Sequence, residues 1–322
     1  MLGDSKTKVA VILAKLGGPD SLASVRPFLF NLFYDRAIID LPNPWRFLLA
    51  HWISLLRAPK AKRIYSKMGG MSPILKNTTI QAKCLEELLN VDYQAIVLPM
   101  MRYWNPRAAE VINTLETFNP DKVVLIPLYP QFSKTTTQST IDEWNEVAVK
   151  WKSKTVILKS HYDDPDFIKS HQELISPILS EAHSYGTPKI LFSAHSLPQK
   201  VIDGGDLYQN QIESTVSSVM KIFDVEYVVC YQSKVGSLKW LEPTIDVELQ
   251  KAAKELRPVV VVPISFVSEH SETLVELDIH YAIKAKELGI PFYGRVPALA
   301  NNPLYIKCLA NAVKKLCQRM LP

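Results

Sequence analysis

The chain has 322 residues, of which 47% are hydrophobic and 21% charged, and a formal net charge of +5. That is the balance of an ordinary globular protein, long enough for two core-bearing lobes. The positive charge is mild and comes without a basic run or an RNA-type motif, which argues against nucleic acid and for an anionic ligand or a membrane surface.

Cys84, Cys230, Cys308 and Cys317 show no CxxC spacing. This argues against a disulfide scaffold or structural zinc and fits a reducing, cytoplasmic compartment. MLGDSKTK leads straight into the first strand, so no signal or transit segment is expected, and no apolar run is long enough to span a bilayer.

Apolar runs of strand length fall near 9–14, 95–99, 122–128, 154–159, 189–194, 226–231, 258–265 and 291–296, with helical periods between them. The alternation predicts an α/β protein with parallel sheets, built as two doubly wound, Rossmann-like lobes in pseudo-duplication. We expect a first lobe over residues 1–117, with an insertion over 25–60 between its first two strands. The second lobe is expected over 118–322, its last helix packing back on the first.

The first strand opens into Leu16-Gly17-Gly18-Pro19, a tight βα turn that does not match GxGxxG and gives little support for a dinucleotide site. In the insertion, Trp45, Leu48, Leu49, Trp52, Leu55 and Leu56 recur at helical spacing, with Arg46, Ser54 and Arg57 off the centre of that face. Such a helix either packs on a core or lies in a membrane interface. Arg57, Tyr65 and Ser72 follow in RAPKAKRIYSKMGGMSP. A guanidinium fork matches a carboxylate and hydroxyls complete its acceptor shell, the plain alternative being a solvated basic helix. Arg102 stands at the end of the second strand and Tyr129 at the end of the third. The Thr/Ser run through Thr140 reads as a solvated loop.

The strand over 189–192 ends in Ser193-Ala194-His195-Ser196-Leu197-Pro198. A second buried strand, Val259 to Ile264, leads through Phe266 and His270 into a helix with Ser271 as N-cap, or with Thr273 and Glu276 as a capping box, ending at Gly289. Leu274, Leu277, Tyr281, Ala285 and Leu288 make its apolar stripe. Glu269, Glu272, Glu276 and His280 follow at three- and four-residue steps on another face. Three neighbouring carboxylates raise one another's pKa, a state suited to accepting protons or holding a divalent cation, although an acidic first turn is also ordinary helix-dipole design. Because ligands of open α/β sheets bind beyond the carboxyl ends of strands, the His195 and Glu272 segments can face one cavity.

SAHSLP and FVSEHSETLVELD together resemble the signature of the ferrochelatases, which insert ferrous iron into a porphyrin to make haem. The resemblance runs from Leu16-Gly17-Gly18-Pro19 to Asn302-Pro303 and includes an MRYxxP segment at Met101, a GDPY-like turn at Gly205 and a QSxxGPxxWLxP-like segment at Gln232. It implies a bacterial-type ferrochelatase acting on protoporphyrin IX at the last step of haem biosynthesis, cytoplasmic, with the insertion as a lip that favours peripheral membrane contact. It further implies that Leu16, Arg57, Tyr65, Ser72, Arg102, Tyr129, Trp240 and Phe266 surround the porphyrin. His195 would face the pyrrole nitrogens as general base or iron ligand, Glu272 beside it as a second iron ligand or proton carrier, and Glu276 would continue an acidic path outward while His270 orients the turn. Ferrous iron is then substrate, with no tightly bound cofactor. Lys134 stands where some members carry a cluster cysteine and the segment from Cys308 lacks clustered cysteines, so no iron–sulfur cluster is expected. The chain departs from the family pattern at Lys15 (usually asparagine), Met71 (glycine), Leu207 (proline) and Ser237 (proline). The alternatives are a coproporphyrin III ferrochelatase or another tetrapyrrole chelatase, and a non-catalytic tetrapyrrole-binding protein.

Overall fold

A computed structural model describes residues 6–234, 236 and 238–319. Eight strands form two four-stranded parallel sheets. The first contains β1 (Lys8–Lys15), β2 (Gln94–Met101), β3 (Lys122–Pro127) and β4 (Thr155–Ile157) in the order β2-β1-β3-β4. The second contains β5 (Lys189–His195), β6 (Tyr227–Gln232), β7 (Val259–Pro263) and β8 (Tyr293–Arg295) in the order β6-β5-β7-β8. The two orders are the same when counted along the chain, and each is the flavodoxin-like doubly wound order with its switch point between first and third strands. The strands read as continuous apolar runs because both faces are covered: Val9 to Ala14 and Val259 to Val262 are fully buried.

The chain divides into two compact units, residues 1–129 with 134–160 and 306–322, and residues 130–133 with 161–305. The boundary expected at 117/118 is therefore displaced. β3 pairs with β1 from Val9↔Lys122 to Ala14↔Pro127, so cutting before it would remove the central strand's second neighbour. In unit one the core gathers Ile12, Met100, Leu115, Leu125 and Trp144; in unit two it gathers Leu191, Leu249, Val261, Leu277 and Tyr281.

The connection from β1 to β2 holds three helices, α1 (Val25–Phe33), α2 (Trp45–Ser66) and α3 (Ile74–Leu89). α3 is the crossover helix and buries Ile74, Leu85 and Leu89, whereas α1 and α2 pack on each other. α2 turns the small residues Ala50, Ser54 and Ala58, with Tyr65, inward. Its large apolar residues point the other way: Trp45 is 64% exposed, Trp52 58% and Leu56 74%. That apolar face is thus not packed on a core of the described residues. No helix among the described residues is long and apolar enough to cross a membrane.

After β2 come α4 (Ala108–Phe118), then a π-helical turn, Lys134–Gln138, that runs into α5 (Ser139–Val147). The Thr/Ser run is accordingly helical, with Thr137, Ser139 and Thr140 buried, and not the solvated loop its composition suggests. Its hydroxyls are accommodated by partners such as the Thr136 carbonyl, which accepts from Thr140. Unit two adds α6 (Pro165–His183), α7 (Gln199–Asp203), α8 (Tyr208–Met220), α9 (Ile245–Lys254) and a π-helical segment over Glu272–Tyr281 continued by α10 (Ala282–Glu287), whereas α11 (Pro303–Arg319) belongs to unit one from Ile306 on.

The helix expected after His270 exists, but its start differs. Ser271 has helical backbone angles and its side chain makes no capping bond. Thr273 Oγ1 instead accepts the His270 N–H at 3.0 Å, and Glu276 turns away to another strand end. The π winding also changes the buried set: Thr273, Val275, Leu277 and Tyr281 are buried, while Leu274 is only half-buried. Gly289, at φ +75°, follows the last turn as expected of a left-handed helix terminus.

Candidate active site

In unit two the site is assembled from three neighbouring strand ends. His195 is the last residue of β5 and pairs in register with Gln232, the last of β6. Its backbone is fixed on both sides, the N–H donating to Ser265 Oγ at 3.3 Å and the carbonyl accepting from Tyr208 Oη at 3.0 Å. Its Nδ1 lies 2.7 Å from Glu272 Oε2. Glu272 is brought there by the turn after β7, where its N–H donates to His270 Nδ1 at 3.0 Å and the Phe266 ring meets the His270 ring edge-on at 4.7 Å. The sequence-level pairing of the two strand-end segments is therefore realised at the switch point of this sheet.

Glu276 lies one turn further on and reaches the end of β6. It accepts from Ser233 Oγ at 2.5 Å and from the Ser233 N–H at 3.1 Å, and the same Oγ is 3.1 Å from Glu272 Oε2. Ser233 holds φ +64°, a left-handed conformation uncommon for a non-glycine residue. Gln232 completes the set, donating to the Glu272 carbonyl at 3.0 Å and accepting from Ser193 Oγ at 2.6 Å. Sequence reasoning passed over Ser233 and Gln232. They stood in the QSxxGP-like segment, but their importance depends on β6 lying beside β5, which only the strand order supplies.

The electrostatics separate the two carboxylates. Burial alone would raise Glu272, but the charge and hydrogen bond of His195 outweigh it and hold its pKa at about 2. His195 shows the reciprocal effect: burial would lower it, and Glu272 raises it above its ordinary value. The side chains retain 40% and 27% exposure, so solvent screens this pair in part. Glu276 is raised, first by burial and then by the neighbouring Glu272 charge. Only one of the three acids thus behaves as the cluster argument expected. Glu269 leaves the group: it pairs with Arg295 at 2.6 Å and accepts the Ala298 N–H at 2.9 Å. Although burial would raise its pKa, these partners and Thr273 lower it. His280 is exposed and stands outside the cluster. Among the described residues no group of three or more His, Cys, Asp or Glu side chains is placed to hold a metal.

Trp240 is half-buried and bridges Pro198 backbone to backbone, beside the loop that follows His195. Phe266 is 8% exposed. Leu207 is exposed ahead of α8, where Asp206 Oδ1 accepts the Tyr208 N–H at 3.0 Å, so its side chain is not needed to shape the turn. The departure at Ser237 lies outside the described residues.

In unit one, Ala14 pairs with the proline that ends β3 as Ser193 pairs with the proline that ends β7. Counting two residues on, Leu16 occupies the position that His195 holds in unit two. Leu16 is half-buried, and its carbonyl accepts from the Tyr103 N–H at 3.0 Å. Gly17, at φ +88°, turns the chain, and Gly18 lets Ser72 approach so closely that a Cβ there would lie 2.4 Å from Ser72 Oγ. Ser72 N–H donates to Pro19 O at 2.8 Å, which locks the two segments together. Met71 is exposed and the left-handed positions before it are Gly69 and Gly70, so the turn is made without a glycine at 71. Arg57 is exposed, its guanidinium 5.5 Å from the Phe33 ring, and Tyr65 is buried.

Arg102 is committed differently from what a ligand contact implies. It pairs with Asp35 at 2.9 Å and Glu143 at 3.5 Å and donates to Ser139 Oγ at 3.1 Å. Asp35 also accepts from Tyr103 Oη and Ser139 Oγ, each at 2.5 Å, and Arg107 completes the network on Glu143 at 2.6 Å. Tyr129 lies beside this network at the end of β3, its phenol pushed up chiefly by burial.

The ferrochelatase family model matches residues 8–316. Curated ferrochelatases are similar along most of their length. One from Wolbachia sp. subsp. Drosophila simulans (strain wRi) is 51% identical over 311 residues, covering 94% of this chain and 98% of its own. One from Pelagibacter ubique (strain HTCC1062) is 45% identical, covering 96% and 91%. Among solved structures, SirB from Bacillus subtilis with Fe3+ matches with a TM-score of 0.56 at 10% identity over 96% of this chain and 95% of that one, a likeness of fold. With the two parallel sheets and the strand-end His195–Glu272 pair in place, the chain belongs to the ferrochelatase family.

Proposed function

We propose that this chain inserts ferrous iron into protoporphyrin IX, forming protohaem. The observation that carries the reading is the His195–Glu272 contact of 2.7 Å at the switch point of a chelatase-like sheet, in a chain similar to ferrochelatases over nearly its full length. Insertion requires that two pyrrole N–H protons leave while a hydrated cation exchanges water for nitrogen. His195 and Glu272 are the groups for this exchange: the imidazole faces the pyrrole nitrogens or the iron, and the carboxylate offers a fixed negative charge to the cation. Glu276, whose raised pKa brings it closer to neutrality, is the better proton acceptor of the two acids. Leu16, Arg57, Tyr65, Ser72, Tyr129, Trp240 and Phe266 are assigned to porphyrin contact on the resemblance to the ferrochelatases. Arg102 is assigned to holding the Tyr103 and Tyr129 region, because its charge is already matched.

The exposed Trp45, Trp52 and Leu56 face supports peripheral contact with a membrane. α2 carries Arg46, Arg57, Lys60, Lys62 and Arg63 and no acid, which suits an anionic surface. Replacing Trp52 and Leu56 by glutamate should cut co-sedimentation with anionic vesicles; undiminished binding would remove the lip from the reading.

The main test is anaerobic ferrous-iron insertion by the purified protein into protoporphyrin IX and coproporphyrin III offered separately, with His195→Ala alongside. Metallation of protoporphyrin that is lost in the variant supports the reading. A preference for coproporphyrin transfers the protein to that substrate, and binding without insertion refutes catalysis.

A further inference from the structure

Two lysines are buried among the described residues, and they are provided for differently. Lys189, 7% exposed, lies between Glu226 at 3.1 Å and Glu248 at 3.2 Å. Lys15 is 5% exposed and its amine makes no hydrogen bond or ion pair among the described residues. Burial alone holds its pKa at about 7 in place of 10.5. An ammonium held largely out of water without a counter-charge is costly.

Its position supplies a use. Lys15 is the last residue of β1, the strand flanked by both β2 and β3, at the switch point where ligands of open parallel sheets bind. Its own carbonyl is pinned by the Arg102 N–H at 2.7 Å. Three residues on, Gly18 packs against Ser72, the hydroxyl assigned above to porphyrin contact. The neighbouring guanidinium groups at this sheet end are spent, Arg102 on Asp35 and Glu143 and Arg107 on Glu143. An anion reaching the end of β1 therefore meets Lys15 as the buried cation still lacking a partner.

We propose that the Lys15 ammonium binds a carboxylate of the porphyrin, supplying a substrate-anchoring contact at the position where the protein itself provides no counter-charge. The inference rests on the porphyrin-chelatase reading. It makes Lys15 a specificity-determining residue that selects porphyrins with ionised side chains, with no part in the transfer of pyrrole protons.

The test compares protoporphyrin IX with its dimethyl ester in the same detergent, measuring dissociation constants by fluorescence and, separately, iron-insertion kinetics, for the wild type and Lys15→Met. The isosteric variant should bind the diacid about tenfold to a hundredfold more weakly, the effect of losing one charge-assisted contact, with KM raised and kcat retained. Its affinity for the ester should not change. Equal loss for acid and ester, unchanged affinity for both, or a fall in kcat at constant KM would each overturn the proposal. If Lys15→Met does not fold, Lys15→Gln takes its place in the same comparison, and wild-type ester binding as tight as diacid binding would also overturn the proposal. Absence of insertion by the wild type would sink the enzymatic reading, whereas the binding comparison would still test Lys15.

Discussion

Replacing Lys15 by methionine should make the folded protein more stable. Methionine fills nearly the same volume and carries no charge into the interior. The folded pKa of about 7 lies below the unfolded 10.5, so the unfolded chain binds more protons between these values and stability rises with pH across that window. The penalty is complete below pH 7 and relieved toward pH 10.5. Linkage from these two values puts it at about 4 kcal/mol at pH 7 and about 2 kcal/mol at pH 9. For a unit of this size each kcal/mol moves Tm by about 2–4 °C, so the variant should melt roughly 8 °C or more above wild type at pH 7. Thermal melts followed by circular dichroism at pH 6, 7.5 and 9 would measure this, with the advantage shrinking as pH rises. A variant less stable than wild type, or a difference that does not depend on pH, would show that the amine is already compensated. A gain in stability joined to a loss of porphyrin affinity is the pattern of a residue kept for function at a cost to the fold.

Further expectations concern the remaining groups. His195→Ala should lower insertion by about 10²–10⁴-fold while porphyrin binding persists, measured by absorbance under anaerobic conditions. Ser233→Ala removes the hydroxyl that contacts both Glu272 and Glu276 and should reduce kcat about tenfold with porphyrin KM unchanged; an unaltered kcat would reduce Ser233 to a turn residue. Arg102→Ala removes the cation paired with the largely buried Asp35 side chain, while Glu143 keeps Arg107, and should destabilise the protein by about 3–5 kcal/mol in urea unfolding. A variant that unfolds like wild type but binds porphyrin poorly would restore Arg102 as a ligand contact.

The parts of this protein that could be read from its residues are those in which chemistry and local period coincide. The apolar runs were legible as strands because a strand covered on both faces, such as β1 or β7, needs nothing but apolar residues, although β4 and β8 are short and only half-buried. His195 and Glu272 were legible because each sits just past such a run, and strand ends in parallel sheets converge. What escaped depended on partners distant in the chain. Arg102 looked like a free cation because Asp35, its partner, is 67 residues away, and Glu269 looked like a cluster member because Arg295 lies on another strand. The π winding after Ser271 left no mark, since a four-residue acid spacing fits a wide turn nearly as well as an ordinary one. The apolar stripe of α2 announced an amphipathic helix without saying what, if anything, covers it.

The contact between Gly18 and Ser72 ties two positions 54 residues apart into a single steric unit. An alanine at 18 has no room while Ser72 keeps its Cβ and hydroxyl, yet it meets little else within reach, the next neighbour being Ile74 Cδ1 at 3.9 Å. Gly18→Ala should therefore be harmful alone and largely repaired by Ser72→Gly, a non-additivity that a double-mutant cycle would measure directly. For a lineage drifting in sequence, the order of the two changes matters more than either change: position 72 must open before position 18 can fill. Sequences that reach alanine at 18 are expected to have passed through glycine at 72, and to have given up the Ser72 hydroxyl in doing so.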